Sequence, residues 1–318
     1  MGEPGPVGVL LMALGGPDSL ESVEPYLLDV RGGRPTPPEL VEEIRERYRS
    51  TGGKSPVLDI TRELAGKLES RLNQPGNSRF RVAVGLRHWQ PRIAWAWREL
   101  VEEKPQRIVG LCLAPQFSAM SVGKYVEKVE MARAEVGGEI PYSWVRSWNR
   151  HPKLVDALAG AVTEALARFA DTERESVPVL FTAHSLPERI LATGDPYPSE
   201  VTATVVAVTG RLREMREGRP LAARFGYQSQ GRSAEPWLGP SVEEMVEELA
   251  DEGHRMVVVA PIGFVSDHVE TLYDIDIELR ALAAGKGMRL ERMPMLNAGD
   301  ALVETLAAVV EEHLAEVG

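Results

Sequence analysis

Short, almost unbroken apolar runs punctuate this chain, and between them lie longer stretches with an apolar residue every three or four positions. The runs Val7–Ala13, Phe80–Gly85, Arg107–Leu113, Tyr142–Val145, Val177–Ala183, Ala222–Tyr227 and Met256–Pro261 predict strands. The stretches Pro38–Tyr48, Ile60–Leu72, Pro91–Glu102, Val122–Val136, Pro152–Phe169, Ser199–Arg216 and Ser241–Asp251 predict amphipathic helices. A last helix is predicted over Ala301–Ala315, with Asp300 as its N-cap. Strands apolar on both faces, alternating with helices, imply βαβ units and parallel sheets covered on both sides.

The pattern also repeats. Each half opens with an apolar strand running into a turn, Met12-Ala13-Leu14-Gly15-Gly16-Pro17 and then Phe181-Thr182-Ala183-His184-Ser185-Leu186-Pro187. Each half later carries a strand ending in Ala-Pro, at Ala114-Pro115 and at Ala260-Pro261. The expected fold is α/β: two similar Rossmann-like domains, each a parallel sheet flanked by helices, with a cleft between them. Open sheets of this kind bind ligands at the carboxyl ends of their strands. The domains are drawn as residues 1–150 and 151–318, with Arg146–Pro152 as the crossing segment. The final helix has the option of packing back on the first domain.

Composition narrows the function. At 318 residues, 43% hydrophobic and 26% charged, the chain has an ordinary globular balance with room for two cores. A formal charge of −11 argues against nucleic-acid binding through a general basic surface, yet local arginines can still hold an anionic ligand. No apolar run has the length of a membrane span. Met1–Pro6 places no basic region before Val7–Ala13, so that run reads as a first strand rather than a signal peptide, and a cytoplasmic protein is expected. The single cysteine, Cys112, can neither close an intramolecular disulfide nor ligate an iron–sulfur cluster alone. Its apolar surroundings make it a buried thiol.

Two segments carry candidate chemistry. His184 ends an apolar strand, and Ser185 with Glu188 reads as a capping box starting a helix. A histidine there either packs and caps, or works at the ligand edge. In Phe264–Glu278, read as a helix, Glu270, Asp274 and Glu278 fall at i, i+4 and i+8 on one face, with Val269, Leu272, Tyr273 and Ile277 on another. Such a ridge is either a solvated face or a path for cations or protons. His268 points away from Glu270 on a helix and reads as structural. A zinc site from His184, His268 and Glu270 lacks the short fixed spacing of a standard site.

The glycines of Leu14-Gly15-Gly16-Pro17 form neither a dinucleotide fingerprint nor a P-loop. The loop holding Gly226–Gly231 and Pro236–Pro240 follows a strand, and its Trp237 is placed to line an apolar wall. Arg31, Arg34, Arg45, Arg47, Arg49 and Lys54 cluster around Gly32-Gly33 and Gly52-Gly53. They suit a carboxylate- or phosphate-bearing ligand, or an ordinary charged helix, since Glu39, Glu42, Glu43 and Glu46 are interspersed.

These segments resemble the ferrochelatase family. The likeness rests on Phe181–Glu188, Gly194-Asp195-Pro196-Tyr197-Pro198, Gln228-Ser229-Gln230-Gly231, Pro236–Pro240 and Phe264–Asp276. It extends to Leu11–Pro17, Gly53-Lys54-Ser55-Pro56 and Gly85-Leu86-Arg87-His88, all in order from about Val7 to the last helix. Arg31-Gly32-Gly33-Arg34-Pro35 and the short N-terminus are most similar to the bacterial coproporphyrin III branch. The resemblance implies a chelatase-type, two-domain lyase of haem biosynthesis, a monomer that inserts ferrous iron into coproporphyrin III to give coproheme. Iron is then a substrate, no cofactor is tightly bound, and no iron–sulfur cluster is expected. The motif histidine and glutamate fall on His184 and Glu270, as catalytic and metal-binding residues, with Asp274 and Glu278 continuing as a relay. Porphyrin carboxylate contacts fall near Arg31, Arg47, Ser55 and Tyr125, and Trp237, Tyr125 and Leu14 offer apolar surface to the ring.

The chain departs from the coproporphyrin pattern at Leu14, a position often held by tyrosine there. Leucine cannot ligate iron. A neutral His184 is expected as first metal ligand or as proton acceptor, with Glu270 complementary. Protoporphyrin IX as the ring, a different tetrapyrrole metal chelatase, and a non-enzymatic tetrapyrrole- or metal-binding protein are the alternatives. Transient contact with other haem-pathway enzymes is a further option.

Overall fold

A computed structural model describes residues 5–73, 79–137, 139–231 and 233–317. Met1-Gly2-Glu3-Pro4, part of the N-terminal segment read from sequence, lies outside them. The chain divides into two compact units, Met1–Trp148 with Asn297–Gly318, and Asn149–Leu296.

In the first unit β1 (Val7–Ala13), β2 (Phe80–Leu86), β3 (Arg107–Cys112) and β4 (Tyr142–Trp144) form a parallel sheet in the order β2-β1-β3-β4. In the second, β5 (Val179–His184), β6 (Ala223–Gln228), β7 (Met256–Pro261) and β8 (Arg289–Arg292) repeat that order as β6-β5-β7-β8, again all parallel. Helices α1 (Val23–Val30), α2 (Pro38–Ser50), α3 (Val57–Leu72), α4 (Ile93–Glu102) and α5 (Val122–Val136) belong to the first unit. The second holds α6 (Pro152–Leu166), α7 (Asp171–Arg174), α8 (Arg189–Ala192), α9 (Tyr197–Met215), α10 (Val242–Asp251), a π-helix (Glu270–Leu279) and α11 (Arg280–Gly285). The last helix, α12 (Asp300–Val317), belongs to the first unit, where Arg71 of α3 pairs with its Glu304 at 2.6 Å.

The two-domain α/β architecture read from the apolar runs is the one observed. The repeat extends to individual hydrogen bonds. Leu86 N–H donates to Pro91 O at 2.7 Å, and Tyr227 N–H donates to Pro240 O at 2.7 Å. Gly85 and Gly226 occupy matching positions, each backed against the first residue of the next helix. A Cβ on Gly85 would lie 2.9 Å from Ile93 Cα, and one on Gly226 would lie 3.0 Å from Val242 Cα. The units differ in the loop that follows, five residues from Leu86 to Pro91 but thirteen from Tyr227 to Pro240, by difference of residue numbers. That longer loop carries Ser229 and Trp237.

The sequence reading omits β8, α1, α7 and α11, and it starts the helix after β5 at Ser185, four residues ahead of α8. Only Leu290 of Arg289-Leu290-Glu291-Arg292 is buried, because β8 is an edge strand, and charged edges deter stray pairing. Ser185 and Glu188 form no capping box: the Ser185 hydroxyl is buried and donates to Leu238 O at 2.8 Å, and α8 starts after Glu188. A true capping box opens α10, where Ser241 and Glu244 bond each other's backbone N–H at 3.2 and 2.7 Å. Asp300 is the first residue of α12 rather than its cap.

Each unit has its own core. Leu10, Met12, Trp97, Ile108, Cys112 and Val129 pack in the first, and Leu180, Val246, Val257, Ile275, Leu279 and Leu290 in the second. Burial pushes the Cys112 thiol far above its ordinary pKa, so it is an inert packing residue. Ile275 and Leu279 root the π-helix in the second core. Among the described residues no helix is long and apolar enough to cross a membrane.

Candidate active site

His184 is the last residue of the buried central strand β5, so its side chain leaves the sheet at the carboxyl edge where α/β proteins bind ligands. Two hydrogen bonds hold it. Its Nδ1–H donates to Ser185 O, which has only lone pairs to offer and so fixes the tautomer. The Tyr197 hydroxyl donates to His184 O at 2.8 Å, locking the backbone from the start of α9. The remaining ring nitrogen, Nε2, faces Glu270 Oε1 at 3.6 Å. The Phe264 ring stands edge-on to both imidazoles, with centroids 6.5 Å from His184 and 4.3 Å from His268.

Glu270 opens the π-helix. Arg280 N–H reaches back five residues to Ile275 O, the bonding that defines this winding. Between four and five residues then make a turn, so side chains four apart stay nearly in line. Glu270, Asp274 and Glu278 do share a stripe, but the winding is not the α-helix assumed from sequence. The buried stripe is Thr271, Ile275 and Leu279, whereas Ile277, assigned to the apolar face, is exposed. The acidic stripe runs from half-buried Glu270 and Asp274 to exposed Glu278.

The long loop of the second unit supplies residues that carry no role in the sequence reading. Ser229, in the left-handed region at φ 56°, donates its hydroxyl to Asp274 Oδ2 at 2.6 Å. Gln228, paired with His184 across the sheet, accepts from Thr182 Oγ1 at 2.5 Å and donates to Ser229 Oγ at 3.3 Å. A hydrogen-bonded chain therefore runs from the core of β5 to the acidic stripe. The one sequence cue was that Gln228-Ser229 and Tyr197 fall within family motifs. Trp237 is half-buried; its Nε1–H donates to Ser233 Oγ at 3.1 Å, and its backbone bridges to Pro187. A Cβ on Gly231 would come within 2.3 Å of its ring.

His268 lies beside the pair but plays another part. Its Nδ1 accepts the Glu270 N–H at 3.1 Å, its Nε2 is buried, and burial keeps its pKa below the ordinary value. Among the described residues no three His, Cys, Asp or Glu side chains gather as a metal cage, so His184, His268 and Glu270 do not form the zinc site weighed above. The His184–Glu270 pair offers one imidazole nitrogen and one carboxylate.

Burial alone would depress the His184 pKa, but the Glu270 carboxylate, backed by Ser185 O and Asp274, overrides it and lifts the value to about 9. The imidazole expected to be neutral is thus an imidazolium at neutral pH in the metal-free protein. A histidine with a raised folded-state pKa stabilises the fold below its ordinary value, near 6.5, and that contribution is lost as pH rises through about 9. Urea midpoints should fall across this window, and Glu270→Gln should flatten the fall. Superimposable profiles would acquit the pair.

The first unit holds the other sequence-predicted residues. Leu14 follows β1 and is 44% exposed. Ser55 is buried against Gly16, and its N–H donates to Pro17 O at 2.8 Å. Tyr125 lies in the core, its ring under the Arg87 guanidinium at 5.7 Å, so little of it remains for a ligand. Much of the basic cluster is neutralised locally: Arg45 pairs with Glu42, Arg49 with Glu46, Lys54 with Asp59 at 2.6 Å, and Arg47 with Glu43 at 3.4 Å. Arg31, following α1, has a buried Nε without a hydrogen-bond partner among the described residues. Such an orphan donor suits an anionic ligand.

Two parallel sheets of one topology, flanked by helices, make this an α/β protein of the chelatase-type fold, and it carries an imidazole–carboxylate pair at a strand end beside an acidic π-helix. The fold agrees with a solved structure titled as SirB from Bacillus subtilis with Fe3+, at TM-score 0.58 and 14% identity, covering 96% of this chain and 95% of that one. That likeness concerns the fold alone. A family model described as Ferrochelatase matches residues 6–314. A ferrochelatase of Herpetosiphon aurantiacus is 41% identical over 302 residues, covering 95% of this chain and 97% of the relative. A coproporphyrin III ferrochelatase of a Geobacillus species is 38% identical over 310 residues, covering 97% and 98%. The chain belongs to the ferrochelatase family, and it is a metal-inserting lyase.

Proposed function

We propose that this chain inserts ferrous iron into coproporphyrin III, releasing Fe-coproporphyrin III, in the cytoplasm. The observation that carries the metal-handling half is His184 Nε2 set 3.6 Å from Glu270 Oε1, with the tautomer fixed by Ser185 O. Insertion removes two pyrrole protons and places a divalent ion among four nitrogens. His184 gives up its proton to Glu270 or to the stripe behind it, and Nε2 then serves as first ligand or as acceptor of a pyrrole proton. Asp274, held by Ser229, and exposed Glu278 extend the stripe to the surface as a route for hydrated metal or protons. Arg31, Arg47 and Ser55 take ring carboxylates, and Leu14 and Trp237 offer apolar surface, whereas Tyr125, buried in the core, supports the wall from behind.

The choice of ring rests on a relative bearing the coproporphyrin III name and on the orphaned Arg31 donor. Protoporphyrin IX is the second reading, favoured by the pairing of Arg47 with Glu43 and by leucine at position 14. An anaerobic assay with ferrous iron and each porphyrin in parallel, read by loss of porphyrin fluorescence, decides between them. A higher kcat/KM with protoporphyrin IX would overturn the ring assignment, and no insertion into either would overturn the reaction.

An imidazole–carboxylate site has little means of refusing other divalent ions, since affinity follows the general metal order. Zinc and cobalt should therefore be inserted in vitro. Strict restriction to iron in the same assay would refute this.

A further inference from the structure

Five carboxylates lie between Asp267 and Glu278, and two of them are engaged by one arginine from the edge strand. Arg292, the last residue of β8, has only 11% of its side chain exposed. Its Nε and terminal nitrogen grip Asp276 of the π-helix in fork geometry at 2.8 to 3.1 Å. The same terminal nitrogen reaches Asp267 at 3.0 Å. Burial opposes the guanidinium charge, yet the two carboxylates hold its pKa above the ordinary value. Arg280 adds a second clasp, to Asp276 Oδ1 at 3.2 Å, to Asp276 O at 3.1 Å and to Leu290 O at 2.8 Å.

Asp267 and Asp276 bracket the catalytic stretch. Asp267 also accepts from the Thr271 hydroxyl at 3.4 Å, and that hydroxyl accepts the His268 N–H at 3.0 Å. His268 Nδ1 in turn accepts the Glu270 N–H. Arg292 therefore ties both ends of the segment carrying Glu270 and Asp274 to the edge of the sheet that carries His184. A π-helix of ten residues is long for a winding usually confined to single turns, and it needs outside restraint to keep its register. A fork-shaped, charge-assisted contact supplies direction as well as energy.

We propose that Arg292 is a positioning residue for metal insertion: its grip on Asp267 and Asp276 holds the π-helix in the register that sets Glu270 against His184. The proposal rests on the ferrochelatase reading of that site. Arg292→Lys keeps the charge but loses the fork, and Arg292→Gln removes the cation that bridges Asp267 to Asp276, leaving Asp276 to Arg280. Since misplacement near 1 Å costs about a hundredfold in rate, kcat should fall about tenfold or more in Arg292→Gln and less in Arg292→Lys. The KM for porphyrin should stay within about twofold, while half-saturating metal rises about as much as kcat falls.

Zinc binding to the porphyrin-free protein, measured by calorimetry, should weaken in the same order, with Glu270→Gln as the reference for a damaged site. Wild-type kcat and zinc affinity in folded variants would overturn the proposal. So would losses that track the folded fraction by circular dichroism, or that raise the porphyrin KM equally. If Arg292→Gln does not fold, Arg292→Lys decides by the same measures. Absence of insertion by the wild-type protein would count against the reaction, whereas zinc binding tests Arg292 independently.

Discussion

Replacing His184 by Ala should abolish metal insertion while porphyrin binding stays measurable. In the proposed reaction the imidazole at the end of β5 presents a nitrogen to the incoming ion, and Ser185 O leaves Nε2 as the atom for it. Alanine leaves Glu270 half-buried without the imidazole that faces it. Removing a positioned acid–base group costs about a hundredfold to ten-thousandfold in rate, and loss of the nitrogen ligand adds to that. The backbone anchor from Tyr197 to His184 O does not depend on the ring, so the strand end should hold its place. Anaerobic fluorescence assays beside a porphyrin titration make the comparison. Turnover within tenfold of wild type would mean that another group does the chemistry.

The second large effect is expected from a single methyl group. Gly263 follows β7, and its N–H donates to Thr182 O at 3.2 Å. A Cβ there would lie 2.9 Å from both Ala183 Cα and Ala183 Cβ, in the strand immediately before His184. Neither atom has a rotamer through which to retreat, so the backbone must shift. The shift falls on two things at once: the end of β5 carrying His184, and the segment from Phe264 that leads to Glu270. Gly263→Ala should cost about 1–3 kcal/mol in urea unfolding, as overpacking does. It should also lower kcat about tenfold or more through misplacement of the pair. Gly66→Ala serves as control, since it sits inside α3 with nothing near its Cβ position and should stabilise by about 0.5–1 kcal/mol. A Gly263→Ala protein with unchanged midpoint and turnover would show that the two elements are not packed this closely.

Particular elements show why some of this was legible and some was not. The strands β1, β3, β5 and β7 announce themselves because each is buried on both faces nearly throughout, and β2, β4 and β6 because their residues are largely apolar. Arg289–Arg292 does not, since an edge strand needs only one buried residue, Leu290, and spends its other positions on charge. The repeat itself holds the missing clue: the strand predicted at Tyr142–Val145 in the first half has no predicted counterpart in the second. Ser185 shows a different failure. Its spacing to Glu188 fits a capping box, but the buried hydroxyl meets Leu238 O, a partner fifty-three residues away. Ser229, Gln228 and Tyr197 escaped for the same reason, since their partners are set by how a loop and a helix return to β5.

By itself, the sequence determined the α/β class, the twofold organisation, the strand-end histidine and the presence of an acidic stripe four residues apart. These depend on local pattern, because burial on one or both faces imposes a period on the chain. The tertiary structure decided that Phe264–Glu278 winds in part as a π-helix, which changed the face that is buried and left Ile277 exposed. It also decided which acids meet which cations: Asp276 and Asp267 meet Arg292, most of the early arginines meet neighbouring glutamates, and Glu270 meets His184. Charge attracts at short range whatever the separation along the chain, so only the folded backbone could choose the partners.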